Sequence, residues 1–95
     1  MPANVKKEMQ ALFDVILEKS EMGELPSDNE VASFERLARR FLSFAKEEWI
    51  EECEDLVHLS VQLVRAVKKG QTQDAIQLVE SLNDARNFCH RTHNP

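Results

Sequence analysis

Residues 36–55 read RLARRFLSFAKEEWIEECED, and the change of charge along this stretch decides how many helices the chain forms. Apolar residues recur at helical spacing from position 28 to position 69, with no Gly or Pro between them. Spacing alone therefore permits a single helix about 60 Å long, at roughly 1.5 Å per residue. However, the arginines within 36–40 suit the C-terminal end of one helix, whereas the carboxylates within 47–55 suit the N-terminal end of another. The stretch predicts a break near Ser43 to Lys46.

Working outward from this break, apolar residues spaced by three and four predict four helices. We place them at about residues 4–22, 28–43, 46–69 and 72–92. Gly23 and Gly70 are typical of helix C-termini, and either Ser27 or Asp28 is a suitable N-cap for the second helix, with Glu30 in its first turn. Short polar links favour antiparallel neighbours. The prediction is an all-α, up-and-down antiparallel four-helix bundle in which residues 1–95 form one domain.

The same periodicity predicts the core, because each helix carries one apolar stripe. The predicted stripes are Val5, Met9, Leu12, Phe13 and Ile16; Val31, Phe34, Leu37, Ala38, Phe41 and Ala45; Trp49, Cys53, Leu56, Val57, Val64 and Val67; and Ala75, Leu78, Val79, Leu82, Ala85 and Cys89.

Composition excludes several classes of protein. The 95 residues include two Gly and no Tyr, which leaves few turn and strand formers. A net charge of −5 argues against nucleic-acid binding, because such proteins concentrate positive charge. No segment has the length of apolar sequence that a signal peptide or a membrane span needs. We therefore predict an acidic cytoplasmic protein that binds neither nucleic acid nor membrane, with Cys53 and Cys89 reduced.

The C-terminal run RNFCHRTH, residues 86–93, has the outline of a c-type haem attachment site with one cysteine missing. A Cys-x-x-Cys-His motif uses both sulfurs for thioether bonds and the histidine as an iron ligand. Here Cys89 and His90 are present, but Arg86 occupies the position of the first cysteine. Attachment through two thioethers is therefore excluded.

On these residues the final helix resembles the last helix of cytochrome c′ bundles without the first haem cysteine. The whole chain more closely resembles the XXXCH domain family of the bacterial GAK gene system, named for three unconstrained residues before Cys-His. The resemblance singles out Cys89 and His90 alone. It implies a small helical protein from a gene neighbourhood with ATP-grasp-like and kinase-like proteins and with no established activity, so no catalytic residue is carried over.

The C-terminal residues leave three interpretations open. Cys89 and His93 are four apart on a helix and share a face, so with His90 nearby they are candidate metal ligands. They make half of a zinc site, which Cys53, His58, an acidic residue or a second subunit has to complete. Alternatively, Cys89 is a buried apolar residue while the two histidines complement the helix dipole, or Cys89 is a redox thiol. We expect no cofactor, with zinc or non-covalent haem as the alternatives.

His58 raises two further hypotheses. With Asp55 it has the i, i+3 spacing of the Glu-x-x-His motif in di-iron bundles, but those sites need a second copy of the motif and further inward glutamates. We therefore interpret the acidic run around it as a solvated helix face. His58 is also the only histidine in the middle of a helix, as in phosphotransfer bundles, but it lacks the Lys-Gly pair that follows their phosphorylated histidine.

Aromatic residues at the break point to a contact surface. One side of the chain cannot hold all four of the large apolar residues here, so some apolar surface near Phe44 is predicted to stay exposed. These residues are Phe41, Leu42, Phe44 and Trp49. The chain also lacks a nucleophile and base in a recognisable arrangement. We predict a non-enzymatic protein-interaction or adaptor module with a protein partner or a homo-oligomeric state. The alternatives are a metal- or haem-binding bundle and a phosphorelay or redox-thiol component.

Overall fold

Four helices pack around one core in the computed structural model, which describes the backbone of residues 2–93 and the side chains of residues 4–87. The helices are α1 (Pro2–Glu21), α2 (Asp28–Ser43), α3 (Ile50–Lys68) and α4 (Thr72–His93). Each helix packs against the next, and α4 packs back against α1. With short links between them, this order makes an up-and-down antiparallel four-helix bundle, as predicted.

The break between α2 and α3 lies where the charge changes. α2 ends at Ser43, and the Phe44 and Ala45 N–H groups donate to carbonyls of the last turn, which closes the helix. A short 3₁₀ turn, Glu47–Trp49, then leads into α3. The predicted break is confirmed. A continuous helix over residues 28–69 would be about 60 Å long, whereas the longest dimension of the fold is only 35 Å. The α-helix itself begins at Ile50 rather than near 46, because the 3₁₀ turn takes up the intervening residues.

Glycine ends two of the helices, because the chain adopts a left-handed conformation just after each. Gly23 after α1 has φ +76° and Gly70 after α3 has φ +69°. The Gln71 N–H then donates to the Ala66 carbonyl at 2.9 Å, which satisfies an acceptor of the last turn of α3. These turns reverse the chain within a few residues and make the neighbouring helices antiparallel.

The start of α2 is capped by a pair of reciprocal hydrogen bonds. The Glu30 N–H donates to Ser27 Oγ at 3.1 Å, and the Ser27 N–H donates to Glu30 Oε1 at 2.9 Å. Ser27, and not Asp28, is therefore the N-cap. Lys19 Nζ donates to both Glu30 carboxylate oxygens at 2.9 Å, which joins the end of α1 to the start of α2.

Most of the predicted stripe residues with described side chains are buried and the others are half-buried, and the buried face of α3 differs from its prediction. Val64 and Leu56, which were predicted as core, are only half-buried, whereas Leu63 and Ser60 are fully buried. Ser60 is accommodated because its hydroxyl donates to the Val57 carbonyl of the same helix at 2.6 Å. Because this hydrogen bond replaces one to water, the serine can lie in the core. Cys89, the last predicted member of the α4 stripe, has a side chain outside the described residues.

Candidate functional site

The antiparallel topology gathers the residues of interest at one end of the bundle, which we call the connection end. It contains the start of α1, the connection from α2 to α3, and the end of α4. The exposed apolar residues of the break and the helical turn that carries the Cys-His motif therefore lie at the same end. They are about 40 residues apart in the sequence, and only the fold brings them together.

A cavity of about 140 Å³ opens among the helices at the connection end. All four helices contribute to it, and most of the described side chains around it are apolar. Its main apolar wall consists of Met9, Phe13, Phe34, Phe41, Trp49 and Leu56. The Phe13 and Phe34 rings pack with their centroids 5.5 Å apart, so the inner part of the wall is aromatic.

Arg86, at the position that the first cysteine of a haem motif would occupy, has a structural role at the side of this cavity. Its guanidinium lies over the Phe13 ring, 5.0 Å from the centroid. It donates to Asp14 Oδ1 at 3.2 Å and to Asn83 Oδ1 at 2.9 Å. The residue therefore ties α4 to α1, through a cation–π contact and hydrogen bonds that a cysteine at this position would not make.

The predicted metal ligands Cys89, His90 and His93 have side chains outside the described residues. Two residues predicted to complete their site are described, and they lie on different sides of α3. Cys53 is buried beside the cavity, whereas His58 is exposed and hydrogen-bonded to Gln62 at 3.1 Å. Within residues 4–87, no three His, Cys, Asp or Glu residues are grouped closely enough to hold a metal ion. The structure therefore does not bring Cys53 and His58 together.

The acidic run at the start of α3 is mostly a solvated face. Its exposed members are Glu47, Glu48, Glu51, Glu54 and Asp55. Glu52 differs, since it is half-buried and borders the cavity. The exposed carboxylates surround the first turns of α3, where they are favoured by the helix dipole and give this side of the connection end a negative charge.

Two large apolar side chains are exposed at the connection, and we call this pair the connection patch. Phe44 is 44% exposed, as the sequence predicted, and Ile50 is 36% exposed. The exposure of Ile50 was not predicted, because an apolar residue one position after Trp49 fits the start of a helix stripe equally well. Lys46 lies between them in the chain, with its ammonium 5.9 Å from the centre of the Trp49 ring.

No helix in the described part of the chain combines the length and apolar character needed to cross a membrane. Comparison with protein-family models, with curated proteins and with solved structures found no match. The resemblance to the XXXCH domain family therefore stays a prediction from the C-terminal motif.

Proposed function

We propose that this protein is a non-enzymatic interaction module that binds another protein through the connection patch, Phe44 and Ile50. The observation that carries the proposal is the exposure of both side chains on either side of one short connection. Elsewhere the described helices turn most of their large apolar residues inward. An apolar pair left in water at a turn is an anchor for a partner, because its burial on binding is favourable.

Local geometry supports the proposal, because it holds Phe44 away from the core. Phe44 is the C-cap of α2, with φ −101° and ψ 0°, so its backbone has already left the helix. Hydrogen bonds from the Phe44 N–H to the Phe41 carbonyl and from the Ala45 N–H to the Leu42 carbonyl hold its backbone there. An anchor fixed in this way loses little conformational freedom when a partner binds.

Charge defines the kind of partner. The exposed carboxylates at the start of α3 lie beside the patch in the chain, and the protein as a whole carries a net charge of −5. A complementary surface would have an apolar pocket for the aromatic ring and a rim of Lys and Arg residues. Such rims increase the rate of association and select partners more than they add affinity.

The experiment compares the Phe44→Ser/Ile50→Ser double variant with a Val15→Ser control. Val15 on α1 is 43% exposed, close to the value for Phe44, but it lies outside the connection. Titration measures the affinity for a purified partner, and sedimentation velocity across micromolar concentrations tests for self-association, which the net charge of −5 on each copy disfavours. The double variant should weaken the association about 30-fold or more, because loss of an aromatic hot spot costs about 2 kcal/mol. Val15→Ser should bind like the wild type.

Two results would contradict the proposal. One is a folded double variant that associates as tightly as the wild type. The other is equal weakening by Val15→Ser, since that would mean a general loss of apolar surface and not the loss of a defined anchor.

A further inference from the structure

The cavity at the connection end has the size and lining of a site for a small apolar molecule. Its volume is about 140 Å³. Enclosed protein cavities of about 150 Å³ lined by Leu, Ile and Phe stay dry and accept benzene, and this cavity has a similar volume and a mainly apolar wall, although it is open to solvent on one side. Water is a poor occupant of such a space, because it needs two to four polar partners and the wall is mainly hydrocarbon. A small ring would instead regain the dispersion contacts that the wall atoms lack.

The charged groups around the cavity favour an uncharged occupant. Among the described side chains that border it, Lys6 and Glu52 carry opposite charges, so these two do not favour an ion of either sign. The Arg86 guanidinium is already engaged by Asp14, Asn83 and the Phe13 ring. A carboxylate or an ammonium on the ligand would lose its hydration without gaining a committed counter-charge.

The shape of the wall favours an aromatic occupant over an aliphatic one. The rings of Phe13 and Phe34 are tilted by 38° to each other and border the cavity, together with the indole of Trp49. Aromatic rings pack on one another in tilted or offset arrangements and gain energy beyond the burial of their area. A third ring is therefore a suitable neighbour for this wall.

We propose that the cavity binds a small uncharged aromatic molecule, of the size of benzene or toluene, against Phe13, Phe34 and Trp49. The site is distinct from the connection patch and does not depend on the proposed protein interaction. The aromatic molecule would lie between the helices, whereas the connection patch lies on the outer surface.

The full chain contains one tryptophan and no tyrosine, which gives the site a specific probe. In a nitrogen-15 spectrum the protein has a single indole N–H resonance, and Trp49 borders the cavity. Toluene should shift this resonance in a saturable manner. Benzoate, which has the same ring and a carboxylate, should bind at least ten-fold more weakly.

Ala85→Leu is the test variant and Ala11→Leu the matched control. Ala85 borders the cavity, so a leucine there fills part of it and should weaken toluene binding at least ten-fold. Ala11 is exposed on α1 and does not border the cavity, so the same substitution should leave the binding unchanged. If Ala85→Leu fails to fold, Gln10→Phe serves instead, because Gln10 is exposed and borders the cavity.

Three results would overturn the proposal: a shift that does not saturate, a toluene affinity that neither cavity substitution changes, or benzoate binding as tight as that of toluene. The first means weak contact with the surface, the second means a different site, and the third means recognition of charge. The result is separable from the test of the connection patch, because Phe44→Ser/Ile50→Ser should leave toluene binding intact.

Discussion

Replacement of Glu30 tests how the end of α1 is joined to the start of α2. Glu30 accepts a hydrogen bond from the Ser27 N–H and an ion-paired contact from Lys19, whose Nζ lies 2.9 Å from both carboxylate oxygens. Glu30→Ala removes both interactions together. It also removes a negative charge from the first turn of α2, where the helix dipole favours one.

The expected loss of stability follows from these three contributions. A hydrogen bond at a capping position contributes about 1 kcal/mol. The ion pair contributes at most about 0.5 kcal/mol, because the Lys19 and Glu30 side chains are 36% and 21% exposed and water screens them. The dipole adds about 0.3 kcal/mol in an exposed first turn. The total is about 1.8 kcal/mol, which corresponds to a fall of roughly 7–14 °C in Tm for a domain of this size.

Urea unfolding followed by circular dichroism measures this loss, with Glu35→Ala as the matched control. Glu35 is on the same helix and pairs with Arg39 at 2.8 Å in an i, i+4 arrangement, but it caps nothing. Such pairs contribute about 0.3–0.5 kcal/mol. If Glu30→Ala costs no more than Glu35→Ala, the capping arrangement does not stabilise the fold and the reasoning is refuted.

The same residue predicts a pH dependence. Burial raises the pKa of Glu30, but hydrogen bonds from Ser27 and Lys19 and the charge of Lys19 outweigh it, so the pKa lies below its usual value. A carboxylate with a lowered pKa in the folded state contributes stability at pH values above its unfolded pKa of about 4.3. That contribution is lost as the pH falls through the lower folded pKa. The stability difference between the wild type and Glu30→Gln should therefore be largest near neutral pH and shrink in acid, as urea unfolding at several pH values would show.

Three further predictions concern the core, the turns and the C-terminal motif. Leu63→Ala should lower the free energy of unfolding by about 3–5 kcal/mol, because Leu63 is fully buried. Leu59 is half-buried, so a cost of Leu63→Ala no larger than that of Leu59→Ala would contradict the central position of Leu63. Gly70→Ala should cost about 1–2 kcal/mol in the same urea assay, through its left-handed φ of +69° and not through a clash, since nothing lies within 4 Å of an added Cβ. Elemental analysis and an absorption spectrum of the purified protein should show no bound metal or haem. Near-stoichiometric metal, or a haem band, that both Cys89→Ala and His90→Ala abolish would contradict the interaction proposal and indicate a ligand site at the C-terminal motif.

Local sequence signals were sufficient for much of the architecture. The change from arginine to glutamate around the connection predicted the break between α2 and α3, because helix dipoles act within one turn of a helix end. Gly23 and Gly70 marked turns because glycine adopts a left-handed backbone at lower cost than any other residue. Ser27 and Asp28 were both suitable N-caps by sequence, and the hydrogen bonds between Ser27 and Glu30 decided for Ser27.

Longer-range features were not predictable in the same way. Periodicity did not place Ser60 in the core, because its burial depends on a hydrogen bond to Val57 and on packing by the other helices. It assigned Phe13, Phe34 and Trp49 to separate stripes, with no indication that they border one cavity. Arg86 was visible only as a missing cysteine, and its tie to Asp14 spans 72 positions of the chain.

The sequence by itself therefore determined the number of helices, most of their ends and most of the apolar face of each, because these depend on interactions within a few residues. Only the tertiary structure decided which side chains meet across helices, where a cavity remains between them, and that the connection patch lies at the same end of the bundle as the last turns of α4. These features arise from the order and antiparallel direction in which four helices pack. Contacts between residues far apart in the chain leave no periodic pattern in a single sequence.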